Sequence, residues 1–149
     1  MTDTTSKPVV ATAEQLNDKQ WLIETLELAS QAATEAGMEW MRKALGDLVT
    51  TGAAKYQVID DLNKAIVGHM LDLCGNAHVV ISDKRSAFFK ALVKHDFLEH
   101  PTWGKVVLPI YHYWQHRQEH GLQVACARAA MKVLQERGIT KVGIWDYID

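Results

Sequence analysis

The sequence predicts a predominantly α, single-domain helical bundle of five or six helices, with one short extended segment near residues 77–81 and another at the C-terminus. Apolar residues recur at three- and four-residue steps along most of the chain, as one buried helix face requires. Residues that cap or stop helices punctuate those runs. Only two stretches, AHVVIS and ITKVGIWDYID, carry the β-branched or alternating pattern of a strand.

Taken in order, residues 1–11 are polar, contain Pro8 and lack periodicity, so they read as a flexible N-terminal tail before a single helical domain over 12–149. Thr12 with Gln15 and Asn17 with Gln20 both fit the capping-box pattern, in which a hydroxyl or amide meets an orphan backbone N–H. Leu22, Leu26, Ala29, Ala33 and Ala36 then line one face of a first helix that Gly37 is expected to end or bend. A second helix carries Met38, Met41, Leu45 and Leu48 and stops at Thr50-Thr51-Gly52. A third is expected from Ala54 to Cys74, because Tyr56, Ile59, Leu62, Ile66, Met70 and Leu73 follow helical steps.

Ser82 is placed to cap a fourth helix holding Phe88, Phe89, Leu92 and Val93 inward, with Pro101 as its latest end. Pro109 suits the first turn of a fifth helix, since its missing N–H has no intrahelical partner there. Ile110, Tyr113, Trp114 and Arg117 share a face that resumes at Val124, Ala127, Met131 and Leu134, with Gly121 as a kink or a break between two helices. Gly138 is the expected C′ residue. Val142, Ile144 and Ile148 then alternate like a strand: either this run pairs with AHVVIS, itself an extended connector or a strand, in a small ribbon, or the tail packs as an extended arm.

A length of 149 residues suits one domain with a real core. The 16 basic and 18 acidic side chains nearly balance, so no global field attracts nucleic acid or an anionic membrane. Cys74 and Cys126 sit in apolar stretches and read as inert core thiols in a reducing compartment. The opening residues lack the apolar run of a signal peptide, and no apolar stretch reaches the length of a membrane span. A cytoplasmic location is the expectation, with no membrane partner.

Familiar catalytic signatures are missing: the chain has no P-loop, GxGxxG, GxSxG, HExxH or metal-ligating cysteine pair, and no residue is assigned a catalytic role. Seven histidines stand out. His112, His116 and His120 fall four apart on the predicted fifth helix, where neighbouring imidazoles one turn apart could chelate a transition metal. The plain alternative is a solvated polar face. His95, Asp96, Glu99 and His100 form a second cluster at the end of the fourth helix, where the dipole favours histidine in any case. With His69 upstream and Asp146 downstream, the His95-Asp96 pair resembles, in four residues, the metal-holding set of the HD-type phosphohydrolases, a helical family. Phe97-Leu98 stand where that family has small residues, and Asp146 lies outside a helix, so membership is not assigned.

Trp21, Trp40 and Trp114 read as helix-packing residues, whereas Trp103 lies in a Pro/Gly connector and Trp145 in the acidic, aromatic end WDYID. Trp103, Trp145, Asp146 and Tyr147 are the candidate partner-binding residues, because aromatic side chains dominate interface energies. Lys84, Arg85, Lys90 and Lys94 make the fourth helix basic and able to meet phosphates, although Asp83 and Asp96 are interspersed and the overall charge is acidic. The leading functional expectation is a small non-enzymatic protein that binds another protein, as an accessory subunit, inhibitor or immunity-type factor. The alternatives are a metal-dependent enzyme or metal carrier built on His69, His95, Asp96, His112, His116 and His120, and a nucleic-acid-binding helical domain.

Overall fold

Thr12 opens the first helix as its capping box requires: its hydroxyl accepts from the Gln15 N–H at 3.1 Å, and the Gln15 side chain accepts from the Thr12 N–H at 2.9 Å. A computed structural model describes residues 9–51, 56–60, 65–98 and 104–149, with side chains described for all of these except 47–51, 56–60 and 65–70. In chain order the described elements are α1 (Ala13–Asn17), α2 (Lys19–Thr51), β1 (Tyr56–Asp60), β2 (Ala65–Met70), β3 (Gly75–Ile81), α3 (Ala87–Lys94), β4 (Val106–Val107), α4 (His120–Glu136) and β5 (Val142–Ile148).

The architecture is a mixture of helices and antiparallel sheet, which corrects the expected all-α bundle of five or six helices. A three-stranded sheet of order β4-β3-β5 lies against α4, and a separate two-stranded sheet is formed by β1 and β2. Helices on one face of an antiparallel sheet make an α+β layer pair. The two extended runs pair with each other over seven residues, from Gly75 opposite Ile148 to Ile81 opposite Val142.

Within the third predicted helix, 54–74, residues 56–60 and 65–70 instead form the antiparallel strands β1 and β2, whose register slips so that Val58 faces Gly68 while Ile59 faces Ile66. The physical reason is visible in the residues. Val58-Ile59 and Ile66-Val67 are β-branched pairs that favour a strand, and short apolar runs satisfy both periods.

Gly37 does not end a helix, because α2 runs unbroken for 33 residues. A helix-interior glycine costs about 1 kcal/mol, and here its missing side chain makes room: a Cβ on Gly37 would collide with the Trp114 indole and the Cys126 thiol. Asp18, not Asn17, caps α2, accepting from the N–H of Gln20 at 2.9 Å and of Trp21 at 3.3 Å. Leu22, Leu26, Ala29 and Ala33 are buried as their spacing predicts, whereas of the next stripe Met41 is buried and Met38 and Leu45 are exposed.

α2 and α4 pack antiparallel. Arg137 at the end of α4 donates through Nε to Thr25 of α2 at 2.8 Å, and the start of α4 lies at Trp40, near enough that a Cβ on Gly121 would touch its indole. Between them Leu22, Leu26, Leu122, Cys126, Ala130 and Leu134 form the centre of the core, closed on the sheet side by Ala77, Val79, Ile81 and Val142. Ser86, four residues after the predicted Ser82, caps α3 by accepting from the Phe89 N–H at 3.2 Å. That shift leaves Phe88 and Leu92 buried and Val93 exposed.

The fifth predicted helix is corrected most. Residues 108–118 are not helical, α4 begins at His120, and Gly121 sits in its first turn, so it neither kinks a helix nor divides two. Tertiary partners outbid helical bonds in this segment. The Tyr113 N–H donates to the Thr34 hydroxyl at 3.2 Å, Trp114 Nε1 to the Thr34 carbonyl at 2.9 Å, and the buried Gln123 amide to the carbonyls of Trp114 and Arg117 at 2.7 and 3.0 Å. With part of its backbone satisfied by side chains, the segment crosses the core without a helix, turning at residues 113–116. Among the described residues, no helix is long and apolar enough to cross a membrane.

Candidate functional site

Two surfaces hold the chemically capable side chains, one on each edge of the sheet. On the β4 edge, β3 is paired only at Val80 and Ile81. Beyond that point Leu108 donates to the Val79 carbonyl at 2.9 Å and the chain then leaves the strand. The Ala77 N–H on this edge is met by the side-chain oxygen of its neighbour Asn76 at 2.8 Å instead of by a strand. The opened gap is a cavity of about 230 Å³ between β3, the 107–115 segment and the helices. Ala33, Ala127 and Ala130 give it an apolar floor, and Asn76, His78, Tyr111, His112 and Gln115 give it a polar side. Among the described residues, no Asp, Glu, Lys or Arg lines it.

Both imidazoles are held below their ordinary range. Burial lowers His78, and burial first, then the proximity of His78, lowers His112. The Trp114 N–H donates to His112 Nδ1 at 3.2 Å, which leaves the ring proton on Nε2. Burial likewise pushes the Cys126 thiol up to about 12, so this cavity-lining sulfur is an inert hydrophobe.

On the opposite edge, β5 has β3 on one side and, among the described residues, no strand on the other. Trp145 and Tyr147 stand on the sheet face turned from the helices, opposite His78 and Asn76 respectively. The rings of Trp145 and Tyr147 lie 5.2 Å apart, His78 lies 5.7 Å from Trp145, and Lys105 Nζ sits 5.7 Å over the indole. This cross-strand aromatic ladder is partly exposed, Tyr147 at 38%.

Between the two edges lies the start of α4. His120 Nε2 and Asp146 Oδ2 meet at 2.8 Å. Asp72 accepts from the Gly121 N–H at 2.7 Å and serves as a cap from outside the helix. Glu119, buried, is held by a two-pronged ion pair with Arg117. Cys74 Sγ lies 3.4 Å from the Asp149 carboxylate, and burial together with that carboxylate raises the thiol, the reverse of nucleophile activation.

The predicted histidine stripe is dispersed because it lies on no single helix. His112 faces the cavity, His116 is exposed with its ring edge-on to Tyr113 at 5.9 Å, and His120 is bound to Asp146. His95 is the C-cap of α3 and meets the Asn17 carbonyl at 3.1 Å through Nε2. Asp96 follows in a left-handed turn with φ 60°. Because Asn17 precedes α2 and His120 opens α4, the length of α4, about 25 Å at 1.5 Å per residue, separates His95 from the His120–Asp146 pair. His69 lies in β2 opposite Gln57. The four residues resembling the HD-type set are therefore not shown converging, and no group of three or more His, Cys, Asp or Glu among the described residues is placed to hold a metal ion.

Of the partner-binding candidates, Trp145, Asp146 and Tyr147 share β5, while Trp103 lies outside the described residues, as do Glu99 and His100. Lys84 and Arg85 fall in the turn before α3, and Lys90 and Lys94 on the helix. Arg85 pairs with Asp83, whose carboxylate is held low first by the Arg85 N–H, and Lys94 Nζ lies 3.4 Å from Asn17 Oδ1. Sequence reasoning missed His78, Asn76, Tyr111 and Gln123 as cavity residues. His78 carried one available signal, a polar residue alternating within an apolar strand run. Comparison of the chain with protein-family models, curated protein sequences and solved structures found no match.

Proposed function

We propose that this is a non-enzymatic binding protein whose partner is another protein, taken up as an added strand along the outer edge of β5. One observation carries the reading: β5 is a seven-residue strand with no neighbour on its outer side among the described residues. Pairing alternates along β3 and β5. The Asp149 N–H donates to Cys74 and that of Ser82 to Lys141, so Tyr147, Trp145 and Gly143 face β3, and the backbone groups of Val142, Ile144, Asp146 and Ile148 face outward.

Exposed edges are usually blunted by proline, lysine, bulges or inward charges. The run VGIWDYI contains no proline and no lysine, and its one charge, Asp146, is engaged by His120. Trp145 and Tyr147 beside the edge supply the aromatic contact area that anchors interfaces. Strand addition of this kind takes affinity from main-chain hydrogen bonds and specificity from alternate side chains. Two free thiols, neither in a disulfide, fit the reducing cytoplasm as the setting.

The test is capture from host lysate with the wild-type chain, with Ile148→Pro, which removes an outward N–H at a position 56% exposed, and with Tyr147→Ala. A stoichiometric protein retained by the wild type and lost with Ile148→Pro supports strand addition. A partner retained equally by all three chains, or none at all, overturns it.

A further inference from the structure

We propose that the cavity beside β3 is a binding site for a small organic anion with an apolar body, an aryl or branched aliphatic monocarboxylate. Size, lining and charge agree. An apolar cavity of about 150 Å³ takes a benzene ring, so the 230 Å³ here accommodates a ring and a short carboxylate-bearing arm. The floor of Ala33, Ala127 and Ala130 offers small side chains against which such a body packs, and the carboxylate is left at the open edge of β3, between His112 and the His78 ring on the far sheet face.

Electrostatics choose the sign of the ligand. Among the described residues no acidic side chain lines the cavity, so a cation has no counter-charge there, and no third ligand joins the two histidines to make a metal site. His112, with Nδ1 occupied by the Trp114 N–H, retains Nε2–H as a donor for a carboxylate oxygen. His78 can take up a proton and become the charge partner. The groups facing His78 are His112 from the 107–115 segment and Trp145 and Tyr147 from β5, with Lys105 over the indole. None is acidic, so an empty site disfavours the imidazolium and an anion removes that penalty.

The coupling has a defined sign. An anion raises the His78 pKa in the complex, so affinity rises as pH falls from the complex's pKa to that of the free protein, by about tenfold per pH unit for one linked proton. Phenylacetate stays ionised above about pH 5.5, and phenylacetamide is its neutral counterpart. Calorimetry and histidine-ring NMR between about pH 5.5 and 8 are expected to show phenylacetate binding with proton uptake and shifts at His78 and His112. Phenylacetamide is expected to bind at least tenfold more weakly. His78→Gln should remove the pH dependence, and Ala127→Val, which fills the floor, should weaken binding while circular dichroism stays native. Equal binding of acid and amide, pH-independent affinity, or no ring shifts at millimolar phenylacetate would each overturn the proposal. The β5 edge plays no part in this test, so the two readings stand or fall separately.

Discussion

The two ends of α4 meet the same demand in opposite ways. At the C-terminus the chain satisfies its orphan carbonyls with its own next residues: Gly138 N–H donates to Gln135 at 3.0 Å and Ile139 N–H to Leu134 at 2.9 Å, with Gly138 left-handed at φ 89°. At the N-terminus the helix's own N-cap residue, Glu119, makes no side-chain cap bond, and Asp72, 49 residues earlier in the chain, accepts from Gly121 instead. One end is closed locally and the other only once the tertiary fold exists. The local device is therefore readable from neighbouring residues, and the distant one is not.

The largest expected effect tests the local end. Gly138→Ala forces a side chain into the left-handed region and against the backbone of Val10 and Ala11, and it should cost about 3 kcal/mol in chemical denaturation. A loss below about 1 kcal/mol would mean that the turn is not under that constraint. At the other end, Arg117→Met leaves the buried Glu119 carboxylate without its partner. Because Arg117 is itself 35% exposed, the expected loss is about 2 kcal/mol rather than the full cost of a deeply buried pair.

Asp72→Ala removes the distant cap and should lower stability by about 1 kcal/mol, with faster amide exchange confined to the first turn of α4. Exchange that speeds up equally at both ends would erase the contrast between them.

The smallest effect concerns pH. His78 and His112 have folded pKa values lowered by burial from the 6.5 of the unfolded chain. The unfolded state therefore binds more protons, and the associated stability is fully present above 6.5 and is lost as pH falls from there through the folded values. Thermal melts of His78→Gln should show a shallower acid-side slope than wild type. An unchanged slope would remove His78 as a contributor.

Much of the fold was legible where the signal was local. The Thr12 box, the Leu22–Leu26–Ala29–Ala33 stripe, Gly138 and the extended backbone of the last run each act through residues within a turn or two, and the structure places them accordingly, although Ile148 is exposed and not buried alternately with Val142. The helical reading of 54–74 and of 109–120 failed for different reasons. In the first, the apolar runs within Tyr56–Asp60 and Ala65–Met70 were too short for their spacing to separate a helix from a strand. In the second, helix-compatible residues were drawn into a non-helical path by Thr34 and Gln123, whose bonds exist only after α2 and α4 pack.

The candidate sites divide along the same line. Trp145, Asp146 and Tyr147 were visible because they are contiguous and compositionally distinct. The cavity was invisible because Asn76, His78, His112 and Ala127 come from three separate stretches, and their shared environment has no sequence period. By itself, then, the sequence determined the Thr12 capping box, the Gly138 turn, the buried Leu22–Ala33 face of the first long helix and the extended character of the two late runs, since these depend on interactions between near neighbours. The tertiary structure alone decided that Gly37 would seat a tryptophan, that three histidines spaced by four would part company, and that a gap beside β3 would be lined by imidazoles. Each of these depends on which distant surfaces meet when apolar area is withdrawn from water, and that choice is made by the whole chain at once.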